Sequence, residues 1–161
     1  LPISHLLRTV FQKLAHPTVV KNPLSPPAFR EPVLIAAGWK PGWSTDYCAT
    51  LLASSLGATT VLNLSDVDRV YSADPKKDPG AKPLSAIDWK AFRKIVGNRW
   101  DPGANVPFDP VAAALAERIG VKVKMIANEL EIWAGLIVPS AGNDDKVHHQ
   151  QAGPVGGQRQ P

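Results

Sequence analysis

Three short apolar runs, at residues 33–37, 59–64 and 121–126, alternate with helical patterns and restrict the fold more than any other feature of the chain. The first, Val33-Leu34-Ile35-Ala36-Ala37, lies between Pro32 and Gly38, which marks a buried strand. The order strand, helix, strand, helix, helix, strand predicts an α/β fold with a mostly parallel sheet. Ligands of such sheets gather outside the carboxyl ends of the strands. The loops after Ala37 and after Leu64 are therefore where chemistry is expected.

The helices have their own punctuation. Ser44 or Thr45 can cap a helix whose first turn holds Asp46, and Gly57 sits where it would stop. Cys48, Ala49, Leu51, Leu52, Ala53 and Leu56 leave it little polar face, so it should be largely buried. Asp109 followed by Pro110 is a cap plus a proline at the first helical position, and Gly120 ends that helix. Trp89, Phe92, Ile95 and Val96 make residues 87–96 a further helix. Near the amino terminus, residues 5–15 place Leu6, Leu7, Val10, Phe11 and Leu14 on one face and Arg8, Gln12 and Lys13 on the other. Five prolines then make residues 16–32 a long connection.

Residues 66–83 read as a loop, residues 97–108 as a turn-rich segment whose Trp100 and Phe108 pack against the body, and residues 135–138 as a short fourth strand. Residues 139–161 have almost no apolar content and read as a disordered tail. The expected organisation is a helix and proline-rich connection (1–32), a domain body (33–138) and a tail (139–161). The first residue is Leu1, with a helical pattern almost at once after it, so the chain is expected to begin within a longer reading frame.

The 161 residues are 44% hydrophobic and 20% charged, a globular composition, and no apolar run approaches the roughly 20 residues needed to span a bilayer. Cytoplasmic residence is the default. The lone Cys48 lies in an apolar segment and reads as a buried, inert thiol. A formal charge of +4 suggests nucleic acid, but most of the excess lies in residues 1–32 and the body is close to neutral. That suits small anionic ligands held by a few placed groups better than a phosphate backbone.

Residues 38–45 lead from a strand into a helix. Glycines at 38 and 42 allow close backbone approach, and the helix start offers free amides and positive potential to an anion. A plain strand-to-helix turn would look the same. Lys40 could add charge or be solvated; Trp39 and Trp43, costly to expose, are suited to stacking on a flat ligand. Asp46 either compensates the helix dipole or faces the anion site. In the second loop, Asp66, Asp68 and Asp74 could bind ribose hydroxyls, hold magnesium through water, or cap turns. Tyr71 could stack on a base or pack inward, and Lys76 and Lys77 are solvated unless phosphates lie close. The sequence has no Gly-x-x-x-x-Gly-Lys-Ser/Thr, Gly-x-Gly-x-x-Gly, Cys-x-x-Cys or His-Glu-x-x-His motif, and His148-His149 is a poor metal site.

Together, Gly38-Trp39-Lys40-Pro41-Gly42-Trp43-Ser44-Thr45-Asp46 and Ser65-Asp66-Val67-Asp68-Arg69-Val70-Tyr71-Ser72-Ala73-Asp74-Pro75-Lys76-Lys77-Asp78-Pro79 resemble the amino acid kinase superfamily, and within it the uridylate (UMP) kinases. The likeness covers about residues 33–127. It implies a three-layer α/β/α sandwich and phosphoryl transfer from MgATP to UMP, giving UDP, in pyrimidine nucleotide biosynthesis. It implies that Gly38, Trp39, Lys40, Pro41, Gly42, Trp43, Ser44 and Thr45 contact UMP, and that Ser65, Val70, Tyr71 and Asp74 contact ATP. Asp46 matches the family's carboxylate that orients catalytic lysines. The implied cofactors are ATP and Mg2+, with no protein-bound metal site, no nucleic-acid or membrane partner, and a hexamer as the family's assembly.

The family's first strand and glycine-rich loop, with a lysine for the ATP phosphates, have no counterpart after Leu1, so the amino-terminal strands of the fold are expected to be missing and the isolated chain weakly active or inactive. Two alternatives remain open: a non-catalytic nucleotide-binding or storage protein on the same fold, and a kinase for an amino acid or other small carboxylate. The paired tryptophans argue against the second alternative, because a small carboxylate gives two indoles little to stack on.

Overall fold

The computed structural model describes residues 2–65, 69–100 and 106–126. Its eight elements are α1 (Pro2–Val10), α2 (Thr45–Leu56), β1 (Thr60–Leu64), β2 (Val70–Tyr71), β3 (Pro83–Leu84), α3 (Trp89–Val96), α4 (Pro110–Ile119) and β4 (Lys122–Ile126).

Helix α2 begins at Ser44, whose Oγ accepts the Tyr47 N–H at 3.0 Å, and ends at Gly57 with φ +66°. Helix α4 starts from Asp109 with Pro110 in its first turn and ends at Gly120. Helix α3 starts from Asp88, whose Oδ1 accepts the Ala91 N–H at 2.8 Å. The caps anticipated from the sequence at Ser44, Gly57, Asp109 and Gly120 are thus all in place.

Strands β1 and β4 pair in parallel, with Thr60 opposite Lys122 and Leu64 opposite Ile126. Side chains alternate across a strand. Val61 packs with Ala53, Ala116 and Val121 beneath α2 and α4, while Leu62 and Leu64 on the other face are 46% and 64% exposed. Among the described residues the run at 59–64 is therefore half-buried on one face and exposed on the other, not buried as its composition suggested. The main core joins Tyr47 and Leu51 of α2, Phe92 of α3, Phe108, and Ala112, Ala113 and Leu115 of α4. Small alanines on α4 let the helices approach closely enough to leave Ala112, Ala113 and Ala116 with no exposed surface.

Three expectations need correction. Residues 33–37 are not a regular strand: Val33 bridges to Ala15 and Ala36 to Val20 as isolated parallel pairs. The His16 N–H donates to the Val33 carbonyl at 2.8 Å and the Val20 N–H to the Ile35 carbonyl at 2.8 Å, but Pro17 between them has no N–H with which to continue a ladder. Ile35 is still buried, in a small cluster with Ala15 and Val19 that ties the start of the proline-rich connection to residues 33–37. The loop at 66–83 contains an antiparallel hairpin, β2 with β3, in which Tyr71 lies opposite Pro83 and Val70 opposite Leu84. Helix α1 ends at Val10, five residues early, and buries nothing: Leu6, Leu7, Val10, Phe11 and Leu14 are all exposed. The expected strand at 135–138, the tail from 139, and Asp66 and Asp68 lie outside the described residues.

Candidate active site

Within residues 38–45, Lys40-Pro41-Gly42-Trp43 closes a turn in which the Trp43 N–H donates to the Lys40 carbonyl at 3.2 Å and Gly42 adopts φ +80°. A proline followed by a left-handed glycine is the pattern of a type II turn, and it is here that glycine is required. The indoles of Trp39 and Trp43 meet edge to face at 4.9 Å, Trp43 meets Tyr47 in the same way at 4.8 Å, and the Lys40 ammonium sits 4.2 Å from the centre of the Trp39 ring. The tryptophans thus form a ladder that anchors the turn to α2 and the main core, with both rings half-buried. Cys48 is buried in α2, and its thiol pKa is raised, chiefly by burial.

Asp46 lies in the first turn of α2, where the leading amides have no acceptor within the helix. Its Oδ2 accepts the Asp109 N–H at 3.0 Å. Burial raises the Asp46 pKa; the Asp109 N–H lowers it in part, and the Asp109 charge raises it again. Asp109 is 1% exposed. Its Oδ1 accepts the Val111 and Ala112 amides at 2.6 and 3.3 Å, and its Oδ2 accepts the Ser44 hydroxyl. The start of α2 and the start of α4 are thereby bound together. Sequence reasoning took Asp109 as a cap alone. The signal for more was its setting between Phe108 and Pro110, where an acid with apolar neighbours on both sides must find several donors.

The second group of predicted residues is more dispersed. Ser65 closes β1, its N–H donating to the Ile126 carbonyl at 3.1 Å. Val70 packs against the main core, the same core that supports Trp39 and Trp43. Tyr71 is half-buried in the hairpin. Asp74 organises its own turn: Oδ1 accepts the Lys76 N–H at 3.0 Å and Oδ2 lies 3.8 Å from the Lys77 ammonium. A groove of about 820 Å³ runs between β4 and the hairpin, lined by Val70, Trp89, Phe92, Phe108 and Met125. Of the predicted residues it contains only Val70, so it is a groove beside the sheet and not the site assembled around Asp46. Among the described residues no group of three or more His, Cys, Asp or Glu side chains is placed to hold a metal ion, and no helix is long and apolar enough to cross a membrane.

An α/β core with a parallel strand pair, a glycine turn leading into a capped helix, and a carboxylate in that helix's first turn define a class. The family model for the amino acid kinase family matches residues 29–128, and the chain belongs to that family. Within it the chain is similar to uridylate kinases. It is 34% identical over 115 residues to that of Methanoculleus marisnigri, covering 70% of this chain and 49% of the relative, and 38% identical over 96 residues to that of Pyrococcus abyssi, covering 59% and 43%. The crystal structure of uridylate kinase from Archaeoglobus fulgidus matches with a TM-score of 0.62 at 29% identity, over 80% of this chain and 60% of that one. The fold is thus the α/β amino acid kinase fold. The chain spans about half the length of the curated relatives it matches.

Proposed function

We propose that this chain supplies the acceptor loop and part of the ATP site of a uridylate kinase-type phosphotransferase, converting ATP and UMP to ADP and UDP. The supporting observation is the fixed entry from the Gly42 turn into α2, with Asp46 held by Asp109 at its mouth. Phosphoryl transfer asks a protein chiefly for positioning and charge stabilisation. In this reading the first-turn amides of α2 and Lys40 receive the UMP phosphate, while the indoles of Trp39 and Trp43 border its base. Ser65, Val70, Tyr71 and Asp74 border the adenosine of ATP. MgATP supplies the transferred phosphoryl group. Asp46 fits an orienting role toward a lysine or magnesium ion, because its second carboxylate oxygen has no partner among the described residues.

Calorimetric titration of the 161-residue chain with UMP, ATP and small amino acids tests this. UMP should bind, amino acids should not compete, and Trp43→Ala should weaken UMP by about three- to tenfold, the loss expected for one aromatic contact. Binding of an amino acid in place of UMP would overturn the acceptor assignment.

A further inference from the structure

We infer that Asp109 is a positioning residue for Asp46, completing across two helices a capping arrangement that ordinarily closes within one. The inference rests on the role proposed above for Asp46. In a capping box the side chain at the cap accepts an amide of its own helix, and a Glu or Gln three residues on reaches back to the amide of the cap. Helix α4 has the first half: Asp109 Oδ1 accepts the Val111 and Ala112 amides. It lacks the second, because the residue three positions on is Ala112. The missing acceptor comes from α2 instead, where Asp46 Oδ2 takes the Asp109 N–H at 3.0 Å from 63 residues away.

Helix α2 is treated in the same way. Ser44 caps it by accepting the Tyr47 N–H, and the Ser44 hydroxyl donates to Asp109 Oδ2. Ser44, Asp46 and Asp109 therefore form a closed ring in which two helix starts hold each other. A cap alone would need one carboxylate oxygen of Asp109. The use of both oxygens, on a residue with 1% of its surface exposed, holds Asp109 in place, so that its N–H gives the Asp46 carboxylate one fixed donor. Free rotation of Asp46 would misplace any group it orients, and small displacements at a reacting centre lower rates by about a hundredfold.

The test uses the intact 161-residue chain and two readings by nuclear magnetic resonance. In Asp46→Ala, amide exchange at Asp109 should accelerate about tenfold or more, as expected for loss of one charge-assisted hydrogen bond, while amides late in α4 stay as protected as before. In Asp109→Asn, which keeps the backbone N–H and can still cap α4, the carboxylate titration of Asp46 should move downward because a neighbouring negative charge is gone. Exchange at Asp109 that is unchanged in Asp46→Ala, or an Asp46 titration that is unmoved in Asp109→Asn, would mean that the two residues do not meet as the ring requires, and either result overturns the inference. The Asp46→Ala reading leaves Asp109 intact, so it stands even if Asp109→Asn does not fold. If both readings shift as expected but Asp46→Asn leaves UMP and ATP affinity unchanged, the proposed role of Asp46 fails while the ring itself stands.

Discussion

Helices α1 and α4 differ in a way that separates what a sequence says locally from what it says about packing. Helix α1 has the larger apolar side chains, yet Ile3, Leu6 and Val10 are 74%, 63% and 66% exposed, and the helix is tied back by Ser4 Oγ donating to the Ala36 carbonyl at 3.1 Å. Helix α4 is rich in alanine and buries Ala112, Ala113 and Ala116 completely, with a cap at each end. Amphipathic spacing states which face can be buried; it does not state what covers it. A cap names its own partner, because donor and acceptor lie within a turn of each other.

The largest expected effect is in the core. Phe92, 3% exposed between α3 and α4, should cost about 3–5 kcal/mol when changed to alanine, read from urea unfolding. Leu6→Ala in α1 should change stability by less than about 0.5 kcal/mol, as expected for an exposed position. Equal losses at the two sites would break the comparison, since they would mean that the α1 face is covered in solution.

A smaller effect sharpens the contrast among turns. Gly57 ends α2 at φ +66°, and a Cβ there would meet nothing within 4 Å. The cost of Gly57→Ala is then backbone strain alone, about 1–2 kcal/mol. Gly38 has no left-handed backbone and equally open surroundings, so Gly38→Ala should leave the melting temperature within about a degree or two, given the small effect of unstrained substitutions. Loss of UMP affinity in Gly38→Ala without loss of stability would show that this glycine serves ligand approach and not the fold.

Much of this architecture is legible because its signals are short-range. The caps at Ser44, Asp109, Gly57 and Gly120, and the strands that come after the two glycines, arise from steric and hydrogen-bonding rules acting over a few residues. The hairpin at Val70–Tyr71 and Pro83–Leu84 escapes sequence reading because two-residue strands joined by a proline-containing loop show no alternation to read. Residues 33–37 look like a strand by composition, but a ladder also needs an unbroken partner, and Pro17 interrupts the one the chain provides. At the candidate site, motif and first-turn position single out Asp46. Its dependence on Asp109 is not readable, since nothing in either segment reveals a hydrogen bond spanning 63 residues. Likewise, the two tryptophans announce an aromatic site without showing that they first pack on each other and on Tyr47.

The smallest expected effect is in pH dependence, where the two regions should oppose each other. Asp46 has its pKa raised in the folded chain, first by burial and then, after partial relief from the Asp109 N–H, by the Asp109 charge. The folded state therefore holds a proton on Asp46 more readily than the unfolded state does. The resulting stabilisation is fully present below the unfolded carboxylate value and is lost as pH rises through the folded value. Glu31, in the connection beyond α1, has its pKa lowered by hydrogen bonds, first from its own backbone and then from His16, which its Oε2 meets at 3.1 Å. Its contribution has the opposite sign: present above the unfolded value and lost as pH falls through the folded one. Urea midpoints measured from about pH 3 to about pH 7, a range spanning ordinary carboxylate values, separate the two. Asp46→Asn should remove a component that weakens the protein as pH rises, and Glu31→Gln one that weakens it as pH falls. If Asp46→Asn leaves the pH profile unchanged, its carboxyl titrates alike in folded and unfolded chains, and the Asp109 N–H fully offsets the effects of burial and of the Asp109 charge.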